Sequence, residues 1–298
     1  MKKLHIAGNL LKGLLLAGML TGCQNDDVLN PQLQESAFAN EAGAKVNAEL
    51  KLTKDGVTSL QYIKSGRFTG WISKVSETNY YTQYYYVDGG GNNFSVTSKR
   101  YQKSNNGLVE ELQYNIVNGK CLSSIDKTSN INYEYNYSEV GRLNWIKSTA
   151  NGSSSKRIFT YDYISATGVE RLNILTFASN VTAANPNGIT YKTIDYNYYK
   201  SGVGNIPDKY HLNPQFSELD RYLPIFGKFS DALITDLTAK LASDPSSLIP
   251  FYRFTYTLNS DGYPTFRTIE YFPGGAGNNN GKQTISGELK YSTSWAGL

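Results

Sequence analysis

Short alternating runs of residues, each bounded by a turn, recur through most of this chain. The clearest copy is residues 133–137, in which every second residue is tyrosine, followed by a turn at Gly141 and a second run at residues 143–146. Side chains two positions apart share one face of a β-strand, so the tyrosines lie on one face and Glu134 on the other. The pattern predicts antiparallel hairpins.

Looser copies of this unit follow along the chain at irregular spacing, which excludes a strict solenoid. They are Tyr114 and Ile116 before Gly119, Tyr161 and Tyr163 before Gly168, Tyr196 and Tyr198 before Gly202, and Phe254 and Tyr256 before Gly262. Turn signals such as Asp55-Gly56 and Asn118-Gly119 separate the runs. We therefore predict an all-β fold over residues 46–298, an antiparallel β-barrel or strongly curved meander built from hairpin repeats.

The first 22 residues have the features of a removable signal peptide: a basic start, an apolar run and a small-residue cleavage site. Residues 20–23, Leu-Thr-Gly-Cys, resemble the lipobox of bacterial lipoproteins, which implies cleavage before Cys23 and its acylation. The alternative is an ordinary secretory signal that contains a cysteine. Residues 23–45 are polar and lack an apolar period, so they are predicted to be a flexible tether.

Two wider resemblances follow from these motifs. Tyr161-Asp162 and residues 141–143, Gly-Arg-Leu, resemble the Tyr-Asp repeats of Rhs-type proteins. The lipobox, the tyrosine-rich hairpins and the ending at residues 254–265 are together similar to an uncharacterised family of Bacteroidetes lipoproteins with a porin-like fold. This resemblance implies a lipid-anchored outer-membrane protein whose Asp26-Asp27 pair directs it to the cell surface. The alternatives are a periplasm-facing protein and a simple solvated linker.

One segment departs from the β pattern. Residues 215–223 suit a short helix ended by Pro224, and residues 230–241 suit a second helix capped by Ser230, with Leu233, Leu237 and Leu241 on one stripe. We expect a helical insertion at about residues 215–242. It would either cover an open end or edge of the sheet or form a lid over a ligand cavity.

Charge and residue counts exclude several classes of function. Three of the 29 basic residues lie in the signal, so 26 remain against 25 acidic ones, and this balance gives no basis for binding nucleic acid. Once Cys23 is acylated, Cys121 is the only thiol and His211 the only histidine of the mature chain. An intramolecular disulfide and a Cys/His zinc site are thereby excluded. We predict no metal and no cofactor.

The sequence supports an enzymatic function less well than a binding function. Cys121 and His211 have no flanking motif of a nucleophile and its base. Acid–base hydrolysis of glycosides needs only two carboxylates, and the chain offers several in strand-like sequence: Glu110, Glu111, Glu134, Glu170 and Asp195. The glycine-rich loops at residues 88–93 and 273–281 lack the spacing of phosphate or calcium loops and are predicted to be hairpin tips.

The aromatic residues are the remaining functional signal. The chain has 24 tyrosines against 12 phenylalanines, a bias towards rings with a polar group that suits half-wet β surfaces. Tyrosines occupy both faces of residues 80–87, and Trp71 shares its predicted face with polar residues. We single out Trp71, Tyr81 and Tyr85 as candidate ligand-binding residues. Cross-strand stabilisation of the sheet is the alternative role of these rings.

The sequence thus favours a non-catalytic binding protein of the cell envelope, with a glycan or a peptide as ligand. A structural subunit without a small ligand is the alternative, and a carboxylate-dependent glycoside hydrolase is a third. A membrane-spanning barrel is disfavoured, because such strands need about nine to eleven residues with an apolar lipid face. Several runs here are shorter, and their richest face is tyrosine.

Overall fold

The computed structural model describes residues 50–164, 169–200, 204–209, 213–243 and 250–292. The segments predicted to be a signal peptide and a tether with Cys23, as well as His211, lie outside the described residues, so the predictions made for them remain predictions. Within the described ranges the chain forms strands and irregular segments and contains no helix.

Eighteen strands follow one another along the chain. The first nine are β1 (Leu52–Asp55), β2 (Thr58–Tyr62), β3 (Ile72–Ser76), β4 (Tyr80–Asp88), β5 (Phe94–Gln102), β6 (Leu108–Val117), β7 (Lys120–Asp126), β8 (Ile131–Tyr137) and β9 (Leu143–Ala150). The second nine are β10 (Ser153–Ile164), β11 (Val169–Ser179), β12 (Ile189–Asn197), β13 (Tyr199–Lys200), β14 (Gly204–Asn205), β15 (Asp236–Leu241), β16 (Phe251–Leu258), β17 (Pro264–Phe272) and β18 (Gln283–Tyr291).

Sixteen of these strands form one closed antiparallel barrel, and β13 and β14 form a separate two-stranded sheet. Neighbours in the barrel follow the chain order except where β12 pairs with β15. Pairing of β1 with β18 closes the ring, with Asp55 opposite Leu289. The prediction of an all-β antiparallel barrel is confirmed.

The hairpin turns explain much of this order. Asn118-Gly119 and Asn151-Gly152 both have positive φ at both residues, between 49° and 77°. This is the type I′ geometry, whose twist matches that of the flanking strands. We call the end of the barrel where β1 begins and β18 ends the near rim, and the opposite end the far rim. The turns after β1, β3, β5, β7, β9, β11 and β17 lie at the far rim.

The two faces of the wall differ sharply in polarity. Directly paired residues on neighbouring strands share a face. Phe159 pairs with Leu175, which pairs with Ile194, and all three are buried inside the barrel. One position along, Ile174 pairs with Asp195 on the outer face. The hydrophobic core therefore lies inside the barrel, and charged residues such as Asp195 lie on the outer wall.

The inside is filled by the chain itself. Residues 213–235, between β14 and β15, run through the lumen as an irregular segment that we call the plug. Its apolar side chains are buried against the inner wall, namely Tyr222, Leu223, Ile225, Phe226, Phe229, Ala232 and Leu233. A barrel of sixteen strands is too wide for its own side chains to fill, and the plug supplies the missing interior.

The predicted helical insertion at residues 215–242 is wrong. Residues 213–235 form turns and irregular backbone, and the end of the predicted second helix is strand β15. Positive φ at Phe216, Glu218 and Gly227 is incompatible with a helix. The physical reason is tertiary: the plug is surrounded by the barrel, so it buries apolar side chains in every direction without helical spacing. β15 gains six backbone pairings with β12 instead.

Candidate functional site

Several ion pairs on the outer wall join neighbouring strands. They are Lys54 with Glu288, Lys99 with Glu111, Glu134 with Lys147, Asp195 with Lys240, and Asp236 with Arg253. A barrel that faces lipid carries an apolar band around its outside and polar groups within. The described wall carries these charged pairs on its outer face together with exposed apolar side chains such as Val87 and Phe266. No helix of the described residues has the length and hydropathy of a membrane span.

Aromatic contacts fix the plug inside the barrel. The ring of Phe226 stacks on Tyr135 with centroids 5.6 Å apart and meets Tyr114 edge-on at 5.9 Å. Phe229 packs against Phe159 at 5.7 Å. These wall residues belong to β6, β8 and β10, so the plug is held by several strands at once. The Tyr-x-Tyr repeat thus supplies rings to the interior as well as to the surface.

Backbone hydrogen bonds connect the plug to the wall at two β-bulges. Cys121 lies where the register of β6 and β7 shifts, and its N–H donates to the carbonyl of Ile225 at 3.0 Å. Leu172 lies where β10 and β11 shift, and its N–H donates to the carbonyl of Phe229 at 2.8 Å. A bulge leaves backbone groups outside the ladder, and here the plug pairs with them.

Two buried carboxylates lie between the plug and the wall. The phenol of Tyr84 donates to Asp220 of the plug at 2.9 Å, and burial raises the pKa of Asp220. The phenol of Tyr222 lies 3.4 Å from the carboxylate of Asp55, which also pairs with Arg267. Burial raises the pKa of Asp55 to about 6, against the lowering effect of Arg267. These carboxylates bind the plug to the wall, and their burial makes them inaccessible to a ligand.

A groove of about 580 Å³ crosses the outer wall over β11, β12, β15 and β16. Its floor is a grid of directly paired residues: one row holds Ile174, Asp195, Thr238 and Phe251, and the next holds Asn197, Asp236 and Arg253. Asn173, Tyr196 and Lys240 complete the lining. The volume lies within the range of small-molecule sites.

The side chains that line the groove can form hydrogen bonds with the hydroxyl groups of a ligand. Carboxylates accept hydrogen bonds, a guanidinium donates them, and amides do both. Arg253 lies 3.7 Å from Asp236, and Lys240 pairs with Asp195, so each charge has a local counter-charge. Phe251 adds one ring beside these planar polar groups. The lining therefore suits a neutral, hydroxyl-rich ligand better than a strongly charged one.

The predicted ligand-binding residues do not lie together. Tyr81 and Tyr85 point outwards from β4, where Tyr81 stacks on Tyr101 at 5.0 Å and Tyr85 is 47% exposed. Trp71 lies in the loop before β3 and packs edge-on against Phe94 at 5.1 Å. Because Phe94 is a core residue, Trp71 belongs to the near-rim packing of the interior. Tyr81 and Tyr85 remain candidates on a tyrosine face, and seven strands lie between β4 and β12 in either direction around the barrel.

The residues considered for catalysis are dispersed. Cys121 is fully buried, and burial raises the pKa of its thiol, which disfavours the thiolate needed for attack. Glu110 points inwards, Glu111 and Glu134 are paired on the outer wall, and Glu170 lies 3.6 Å from Arg142. Only Asp195 lies in the groove. Among the described residues no cluster of His, Cys, Asp or Glu could hold a metal ion.

Sequence reasoning missed most of the groove. Asp236, Thr238 and Lys240 alternate along residues 236–241, which indicates a strand, but the spacing of the leucines in the same stretch also predicts a helix. Phe251 and Arg253 show the same alternation in β16. The pairing of β12 with β15 across the plug brings the two halves of the groove together, and local sequence does not encode that pairing.

No protein-family profile matches the chain, and no curated protein matches it. Among solved structures, a porin-like protein from Bacteroides vulgatus ATCC 8482 superposes with a TM-score of 0.45 and 15% identity, covering 83% of this chain and 98% of that one. A porin-like protein from Bacteroides uniformis ATCC 8492 gives 0.42 and 14%, covering 80% and 98%. At this level of identity the likeness concerns the fold alone.

Proposed function

We propose that the protein is a non-catalytic glycan-binding protein of the cell envelope, with the groove over β11, β12, β15 and β16 as its binding site. The observation that supports this most directly is the grid of hydrogen-bonding side chains around Phe251, in a groove of about 580 Å³. A saccharide has both the hydroxyl groups for such a grid and the apolar ring faces that pack on an aromatic side chain.

A peptide is the weaker of the two ligand classes considered. Extended peptides commonly bind by adding a strand to a free sheet edge. The barrel is closed by β1 and β18, so its wall offers no such edge among the described strands. A peptide would have to bind through side chains alone, whereas a saccharide needs only the groups that the groove displays.

The barrel is proposed to stand in water, tethered to the outer membrane by lipidated Cys23, and not to conduct. The charged outer wall and the filled lumen support this reading. Labelling with radioactive palmitate tests the anchor: we expect incorporation in the native chain and none in Cys23→Ala. A Cys23→Ala protein that stays in the membrane fraction would contradict the anchor.

Glycan binding is tested with the mature chain carrying Cys23→Ala, on a glycan array followed by calorimetry with each hit. We expect Phe251→Ala and Asp195→Ala each to weaken binding at least about 10-fold, the effect of losing one ring contact or charged hydrogen bond. Glu134→Ala is the matched control, because it removes a similar cross-strand ion pair elsewhere on the wall.

Other results would redirect the proposal. Loss of binding with Tyr85→Ala but not with Phe251→Ala would move the ligand to the tyrosine face. A turnover of the bound glycan that depends on Asp195 and Asp236 would favour a hydrolase, although both carboxylates are ion-paired and a glycoside hydrolase needs one protonated. An array without hits would favour a structural subunit.

A further inference from the structure

The tip of the plug has an unusual backbone. Phe216 and Glu218 both lie in the left-handed region, with φ of 61° and 59°. Residues with a Cβ seldom adopt this region, and two such residues within one turn need support from their surroundings. Strain of this kind is concentrated at binding and catalytic sites. The tip is therefore a place to look for a second site.

The wall holds this tip in place from two sides. The Nη1 of Arg157 donates to the carbonyls of Ser217 at 2.8 Å and Glu218 at 3.0 Å. On the other side, the ring of Phe216 lies 4.7 Å from that of Tyr252. Tyr252 in turn stacks on Tyr271 at 4.8 Å and 29°. The strained turn thus presents one ring to an aromatic stack and one carboxylate, that of Glu218, to solvent.

The far rim leaves the tip accessible. Ile285 pairs with the core residue Ile269, and Leu241 pairs with Lys192, so both side chains point into the barrel. They nevertheless remain 44% and 42% exposed. An inward-pointing side chain of a closed barrel meets water only through an open end. The far rim is therefore open to water beside the plug tip, and we call this open end the mouth.

The mouth contains two cations, Lys192 and Arg157, and one carboxylate near both of them, that of Glu218. Lys192 pairs with the buried Phe177, and its ammonium lies 4.6 Å from the centre of that ring. Burial lowers the pKa of Lys192, against the raising effect of the nearby Glu218 carboxylate. Phe177 also pairs with Arg157, so the two cations flank one ring on the inner wall. Glu218, 3.5 Å from Arg157, also acts on Lys192, so one negative charge faces two positive ones.

We propose that this mouth is a second ligand site, which takes an acidic sugar: its carboxylate binds at Lys192 and Arg157, and its ring packs on Phe216 and Tyr252. A carboxylate pairs well with a guanidinium and an ammonium that are shielded from water. The hydroxyl groups of the sugar find an acceptor in Glu218. The site is separate from the outer groove and does not depend on it.

The position of β1 also determines which way the mouth faces. β1 begins at the near rim, so the tether enters the barrel at the end opposite the mouth. In a protein anchored through Cys23, the mouth would point away from the membrane. Glycans in the surrounding medium would reach it without passing the lipid surface.

The test uses the mature chain with Cys23→Ala and two probes of equal length, a trimer of galacturonic acid and neutral galactotriose. By calorimetry we expect the acidic trimer to bind at least about 10-fold more tightly, as one charged hydrogen bond implies. Lys192→Met should abolish that preference, and Lys192→Arg should retain it. Lys147→Met is the matched control, since it removes a cation from the outer wall outside both sites.

Several outcomes would overturn the proposal. Equal affinity for both trimers, or an acidic preference that survives Lys192→Met, would exclude the mouth as an acidic-sugar site. Competition by acetate at the same concentration as the trimer would reduce the site to a simple anion site. Binding of the acidic trimer that is unchanged by Tyr252→Ala would exclude the aromatic platform. Phe251→Ala, which tests the groove, should leave this binding unchanged, so the two proposals fail independently.

Discussion

The guanidinium of Arg267 donates a hydrogen bond at 2.5 Å to the carboxylate of Asp55, across the strand that lies between them. Arg267 belongs to β17 and Asp55 to β1, and β18 separates the two. The residue opposite Arg267 on β18 is Gly287, which places no side chain in the path. Both charged groups are buried. The ion pair thus joins the last hairpin to the first strand from inside the barrel.

The first prediction concerns the pH dependence of stability. Burial raises the pKa of Asp55 to about 6, whereas an unfolded aspartate titrates near 3.9. The folded protein therefore holds this proton more tightly than the unfolded chain does. The stability that Asp55 contributes is complete below pH 4 and is lost as the pH rises through 6. We expect this group to lower the free energy of unfolding by about 2 kcal/mol between pH 4 and pH 7.

Asp55→Asn isolates this effect, because asparagine resembles the protonated aspartate and does not titrate. In urea unfolding we expect the variant to match the parent at pH 4 and to exceed it at pH 7. Other groups whose pKa burial raises, such as Glu77 and Glu110, are common to both proteins and cancel in the difference. A variant less stable than the parent at pH 7 would show that attraction to Arg267 outweighs burial.

The second prediction concerns closure of the barrel. A Cβ added to Gly287 would lie 2.5 Å from the Cα of Gly56, in the turn after β1. Because that neighbour is backbone, the β1–β18 seam would have to shift. We expect Gly287→Ala to cost about 1–3 kcal/mol of unfolding free energy. Thr284→Ala, at an exposed outward position of the same strand, should change it by less than about 0.5 kcal/mol.

Local sequence predicted the hairpins well, since the turn residues act over only a few positions. Asn118-Gly119 specifies a type I′ turn by its own conformational preference. Closure is different, because Asp55 and Leu289 meet across more than two hundred residues. Nothing in the sequence of β1 or of β18 indicates that the two strands pair. The sequence therefore left a barrel and a curved meander as equal alternatives.

The helical prediction failed for a related reason. The stripe of Leu233, Leu237 and Leu241 is compatible with a helix when the chain is considered alone. In the structure Leu237 and Leu241 point into the barrel as alternate residues of β15. The backbone groups at the edge of β12 need hydrogen-bond partners, and pairing with them favours the strand period over the helical one. An apolar run near a strand edge is thus ambiguous until its neighbours are known.

The tyrosine bias was interpreted mainly as a surface signal, and the structure divides it. Tyr84, Tyr114, Tyr135, Tyr196, Tyr198 and Tyr222 are buried inside the barrel. Several of their phenols bond to the plug, as Tyr196 does to the carbonyl of Gln215 at 2.6 Å. A ring with a polar end suits an interior that contains irregular backbone, because that backbone needs hydrogen-bond donors.

The third prediction tests the plug as a structural element. Phe226 is almost fully buried between Tyr114 and Tyr135. We expect Phe226→Ala to lower the free energy of unfolding by about 3–5 kcal/mol in urea. Phe266→Ala is the matched control, because Phe266 is 42% exposed on the outer wall, and its loss should cost less than about 1 kcal/mol. Equal costs for the two variants would mean that the plug does not pack as described.

The fourth prediction uses Cys121 as a reporter of opening. With Cys23→Ala it is the sole thiol of the chain, and its N–H donates to the carbonyl of Ile225 in the plug. Burial also raises its pKa, which lowers the thiolate fraction. We expect a thiol reagent to react at least about 1,000-fold more slowly with the native protein than in urea, because reaction requires opening.

The same reporter distinguishes local release of the plug from global unfolding. If the plug opens locally, Phe226→Ala should accelerate labelling of Cys121 in proportion to its loss of stability, at pH values where the native state still dominates. Leu122→Ala, next to the thiol but 43% exposed, should leave the rate nearly unchanged. A native thiol that reacts as fast as the unfolded one would show that the plug does not cover this part of the wall. A labelling rate that Phe226→Ala does not change would mean that the strands alone, and not the plug, shield Cys121 from the reagent.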